Sequence, residues 1–119
     1  MILDDMEELH ITRDKGATGT TAILRLKGPL RLNNLFSLQD ALRDIGESDT
    51  VIDVTDCPYI DSAGLGTVLS HWTHCQTHHR KFALTGVSQR IGVLLELTQV
   101  DKVLPMFKTA EDADKAFTA

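Results

Sequence analysis

Val51-Ile52-Asp53-Val54-Thr55, a short loop, and then Asp61-Ser62-Ala63-Gly64-Leu65-Gly66 at the head of a long periodic run decide the fold. The first segment opens on β-branched aliphatics and reads as a strand. From Ser62 to about His78 the apolar residues Leu65, Val68, Leu69 and Trp72, with Cys75 or Gln76, recur at helical spacing. A strand feeding a helix through a tight loop is the repeating unit of an α/β sheet.

The same alternation continues outward in both directions. Downstream, Lys81 to Thr85 is a short strand closed by Gly86, and Ser88 caps a helix carrying Ile91, Leu94 and Leu95. Val103-Leu104 and Met106-Phe107 flank Pro105, which allows an edge strand at best. Thr109, with Asp112 three positions on, caps a terminal helix through Ala113, Ala116 and Phe117. Upstream, Leu35, Leu38, Leu42 and Ile45 form a helical stripe capped by Asn33 or Asn34 and ended by Gly46. Thr21 to Lys27 is a strand bounded by Gly28-Pro29, and Leu9 to Arg13 pairs with it as a hairpin. The predicted architecture is one α/β domain over residues 1–119, with a mixed, mostly parallel sheet of four to five strands and about four helices. Leu26, Val51, Ile52, Val54, Leu69, Trp72 and Leu94 are its expected core.

Composition narrows the function. The 119 residues are 42% hydrophobic and 24% charged, with a net charge of −5. That acidic balance argues against a nucleic-acid surface and against docking on anionic membranes. No apolar run is long enough for a membrane span, and the start, Met1 to His10, is acidic, unlike a secretion signal. Cys57 and Cys75 form no C-x-x-C pair, so a reducing, cytoplasmic location is expected.

Asp61 to Gly66 is the segment that carries chemistry. It lies outside the carboxyl end of a strand, where a helix N-terminus points free N–H groups outward. Ser62 stands where a cap would be, and Gly64 and Gly66 strip side chains from the first turn, so that another surface can approach the backbone. Each glycine costs roughly 1 kcal/mol relative to alanine in a helix, a loss that something must offset. A nucleophile elbow is excluded because Ile60, not glycine, stands two residues before Ser62. The glycine patterns of nucleotide-phosphate loops are missing too. Two readings stay open: a simple cap, or an exposed hydroxyl that receives a phosphate.

This hexapeptide, in its strand–helix setting, resembles the signature of STAS domains of the bacterial anti-sigma-factor antagonist type. The resemblance runs from about Leu9 to Phe117, including Val87-Ser88 and Leu94 to Leu104. It implies that Ser62, preceded by Asp61, is phosphorylated by a partner serine kinase, the anti-sigma factor itself. The unmodified form then binds that kinase and frees a sigma factor, and a phosphatase of the PP2C class restores it. The implied partner-binding residues are Asp61, Ser62, Ala63, Gly64, Leu65 and Gly66, to which Arg31 is added for its own charge; no catalysis, metal or cofactor is expected. One stretch departs from the pattern. Where such antagonists typically carry Gly-Glu-Leu-Asp, this chain has Gly28-Pro29-Leu30-Arg31, and an arginine near Ser62 pairs a phosphate where an acid repels it. The alternative is a STAS module that is never phosphorylated, serving as a structural part of a signalling or transport complex.

The remaining residues read as scaffold. His71, His74 and His78 share a helix face turned from the apolar stripe; three imidazoles on one face suit zinc, but no fourth ligand is visible in the sequence, so a solvated face is expected. Protonation of all five histidines would cancel the net charge of −5, which predicts association near pH 5–6. Asp53 and Asp56 are expected to form an acidic rim beside Asp61, and Cys57 to be a strand-end residue without redox use.

Overall fold

The computed structural model describes residues 8–17 and 19–118. The strands are β1 (His10–Lys15), β2 (Thr21–Lys27), β3 (Asp49–Asp56), β4 (Phe82–Thr85) and β5 (Met106–Phe107). Four α-helices occur among the described residues: α1 (Leu35–Asp44), α2 (Ser62–Thr77), α3 (Gln89–Leu97) and α4 (Ala110–Thr118). The strands form one sheet in the order β1-β2-β3-β4-β5. β1 runs antiparallel to β2, and every later pairing is parallel. The mixed α/β architecture is as expected. The strand after Pro105 is also real, though only two residues long: Pro105 has no N–H to give, but its carbonyl accepts the Leu84 N–H at 2.9 Å.

The pleat divides the sheet into two unequal faces. Ala22, Leu24, Leu26, Ile52, Val54, Phe82 and Leu84 point to one side and pack with α1, α2 and α3. Ile23, Val51 and Ala83 point to the other side, where α4 covers them with Ala110 and Ala113. Because both faces of β2 and β3 are covered, those strands are buried nearly throughout.

Several expected positions shift. Leu26, Val51, Ile52 and Val54 are buried, but Leu69, Trp72 and Leu94 are only half-buried at the edge of the core. The buried stripe of α2 is Gly64, Leu65, Val68 and Cys75, a helix face rotated from the expected one, and Gln76 is exposed. Ala116 is likewise exposed, while Ala113 is buried and Ala110 joins it. Leu69→Ala is therefore expected to cost roughly 1–2 kcal/mol, against ~2–5 for an enclosed leucine such as Leu38. Urea melts giving the two substitutions equal losses would contradict this placement.

Candidate functional site

Beyond the ends of β2 and β3 the chain keeps pairing. Leu30 and Ile60 form an isolated parallel bridge, in which Leu30 N donates to Tyr59 O and Asp61 N donates to Leu30 O, each at 3.1 Å. This places the segment 29–32 directly alongside the start of α2. Leu30, fully buried, anchors the segment from beneath.

Asp61, not Ser62, is the N-cap of α2. Its Oδ1 accepts the Gly64 N–H at 2.8 Å, and its Oδ2 accepts the Leu32 N–H at 2.9 Å. One carboxylate thus caps the helix and ties it to the neighbouring loop. The cap reading of Ser62 is overturned: Ser62 is the first helical residue, exposed, and its hydroxyl makes no hydrogen bond among the described residues. Asn34 fails as a side-chain cap for a similar reason. Its amide accepts from Arg31 N at 3.0 Å and donates to Pro29 O at 2.9 Å, bracing the same loop.

The six residues of the motif face different ways. Gly64 and Leu65 are buried, Asp61 and Ala63 half-buried, and Ser62 and Gly66 exposed. Ala63 and Gly66 line a groove of about 470 Å³ together with Thr67, Ser70, Gln39 and Leu42. Leu32 and Phe36 are 71% and 76% exposed, large apolar side chains left to solvent next to the loop that Asp61 holds. The sequence gives no sign of that exposure, because an apolar residue carries the same letter inside or out. Arg31 donates from Nη1 to the Tyr59 hydroxyl at 3.0 Å, and the Arg90 guanidinium lies 4.7 Å from the Tyr59 ring centroid.

Asp53 takes no part in an acidic rim. It lies on the α4 side of the sheet, where its Oδ1 accepts from Thr55 and Thr85 and its Oδ2 faces Arg25 at 3.3 Å. Arg25 also bonds Asp14 at 2.8 Å and Glu111 at 3.0 Å, and so holds α4 to the sheet. Its hydrogen bond to Glu111 lowers the pKa of that exposed carboxyl. Asp56 is exposed at the end of β3, as expected. Cys57 is buried, its thiol donating to Tyr59 O at 3.3 Å, and burial pushes its pKa up.

His71 departs from the solvated face predicted for it. Its Nε2 lies 2.9 Å from Thr50 Oγ1 and 3.4 Å from Cys75 Sγ, and its ring packs edge-on to Phe82. Burial first, then neighbouring His74, lowers its pKa to about 4. At pH 5 it therefore stays neutral, one short of the five protonations that would cancel the net charge of −5. An unfolded histidine titrates at a higher pH than this, so acid favours the unfolded chain. Stability is complete above about pH 6.5 and is lost as pH falls toward 4, by roughly 1–2 kcal/mol after discounting for partial exposure. The check is urea denaturation of the protein and His71→Gln in EDTA buffer, at about pH 7 and about pH 4.5. The variant should lose less, and equal losses would refute the assignment. Among the described residues no group of three or more histidines, cysteines or carboxylates is placed to hold a metal ion, and no helix is long and apolar enough to cross a membrane.

Comparison with known proteins agrees with the fold. The family model of the STAS domain matches residues 12–113. An anti-sigma factor antagonist from Mycobacterium paratuberculosis superposes with a TM-score of 0.84 at 16% identity, covering 95% of this chain and 97% of its own. An anti-sigma-factor antagonist (STAS) domain protein from Planctomyces limnophilus gives 0.78 at 18% identity, with coverages of 92% and 98%. A sulfate transporter family protein from Wolinella succinogenes gives 0.69 at 21% identity, with coverages of 82% and 84%. At such identities these likenesses speak for the fold.

Proposed function

This chain belongs to the STAS domain family, and from that premise we propose that it acts as an anti-sigma-factor antagonist in a partner-switching pathway. Unmodified, it binds a serine-kinase anti-sigma factor through the face around Ser62 and so frees a sigma factor. Phosphorylation of Ser62 by that kinase ends the complex, and a PP2C-type phosphatase resets it. The observation that carries this reading is the division of labour at the start of α2. Asp61 does the capping, which leaves the Ser62 hydroxyl exposed and uncommitted. Exposed Leu32, on the loop tied to Asp61, and exposed Phe36, four residues on, supply apolar contact area.

The chain itself is not an enzyme in this reading. No base is hydrogen-bonded to Ser62 among the described residues, and a nucleophilic serine needs one. Free, buried Cys57 and Cys75 suit a reducing cytoplasm. A second reading, an unphosphorylated module of a signalling or transport assembly, is favoured by Arg31 and Pro29 at positions where antagonists typically carry acids. One experiment separates the two: incubation with ATP and the histidine-kinase-like ATPase encoded nearest its gene, followed by mass spectrometry. The switch requires one phosphate on Ser62 and none on Ser62→Ala. No incorporation into the wild-type chain would leave the structural module.

A further inference from the structure

The last turns of α2 carry chemistry that partner switching does not use. His74 and His78 are both exposed, one turn apart, with ring centroids 4.2 Å from each other and planes inclined by 36°. His78 Nδ1 lies 2.9 Å from the His74 carbonyl. A carbonyl only accepts, so Nδ1 carries the proton and Nε2 keeps the lone pair. An imidazole whose other nitrogen is pinned to a carbonyl in this way is in the form that binds metals. Both rings line a cavity of about 380 Å³ between the ends of α1 and α2, which His71, Cys75 and Glu47 also line.

We propose that His74 and His78 form a two-imidazole chelate for a divalent late transition ion such as Zn²⁺ or Ni²⁺. Water fills the remaining positions, since among the described residues no third histidine, cysteine or carboxylate is placed to join the pair. Imidazole nitrogens suit these ions, whereas Mg²⁺ and Ca²⁺ require converging oxygens. The neighbouring pair behind them is not the site. His71 Nε2 is already engaged by Thr50, and Cys75 is buried, which keeps its sulfur a thiol. A bound ion ties the final turn of α2 to the residue that caps it, His78, and stabilises the folded form over the unfolded one.

The test is thermal melting after EDTA dialysis, with NiCl₂, ZnCl₂ or MgCl₂ added. Nickel and zinc should raise the melting temperature by roughly 3–6 °C and magnesium should not. His74→Ala and His78→Ala remove exposed rings, so both variants should fold, and each should abolish the rise. His79→Ala should retain it. A rise that survives in His74→Ala or His78→Ala, that is lost in His79→Ala, or that never appears in the wild type overturns the proposal.

Discussion

Gly64→Val lowers stability by about 3–5 kcal/mol, while Gly66→Ala, two residues on, raises it by about 0.5–1. The two glycines look alike in the sequence but meet different surroundings. A Cβ on Gly64 would sit 2.8 Å from Leu30 O, 2.9 Å from Leu30 Cγ and 3.0 Å from Ile60 Cγ2. Leu30 O cannot retreat freely, because it accepts the Asp61 N–H. The branched side chain of valine therefore forces the loop off the helix and breaks the Asp61 bridge to Leu32. A Cβ on Gly66 meets nothing within 4 Å, so alanine there keeps only its better helix propensity. Partner affinity should respond differently from stability. Gly66→Ala places a methyl on the exposed turn beside Ser62 and is expected to weaken docking while stabilising the fold. Urea melts that give both substitutions the same sign would contradict the close approach at Gly64.

Ser62→Asp leaves the melting temperature nearly unchanged and weakens binding of the kinase partner by about 1–3 kcal/mol, roughly 5–150-fold. The fold tolerates the charge because a helix N-terminus favours an anion by about 0.3–1 kcal/mol. Phosphate itself brings a charge of about −1.5 to −2 to the same place. The Asp61 carboxylate is adjacent and already holds two N–H groups, so the added anion gains few new donors at the cap. Its effect falls on the interface, where it must be desolvated or repelled. Ser62→Ala should bind constitutively. Calorimetry with the cognate kinase decides: equal affinities for serine, alanine and aspartate at this position would remove the switch.

The element order was legible because each strand and helix carries its own period. Thr21–Lys27 ends where Gly28-Pro29 ends it, and Ser88 caps α3 through the Ile91 N–H as its position suggests. Asp61 and Ser62 are both good caps by type, and the choice between them is made by geometry. The Leu32 N–H, which lies far away in sequence, holds the carboxylate in place. The facing of α2 was misread for a related reason. Period alone gave the stripe Leu65, Val68, Leu69 and Trp72, with Cys75 or Gln76, but His71 is drawn inward at the starts of β3 and β4, where it meets Thr50 and Phe82. Asp53 was misassigned because pleat parity, which sends it to the α4 side, depends on the register with Arg25 and Thr85.

The two-handed carboxylate of Asp61 also shapes how such a protein can diverge. Changing it removes a helix cap and frees a loop in one step, so drift there weakens the fold and, in the proposed switch, disturbs the recognition face together. Leu32, Phe36 and Gly66 carry no such double duty: they are exposed and can vary at little cost to stability. In the proposed switch the Ser62 hydroxyl sits on a fixed frame, while the exposed side chains around it stay free to change. Duplicated copies could therefore acquire separate kinases without redesigning the helix that presents the serine.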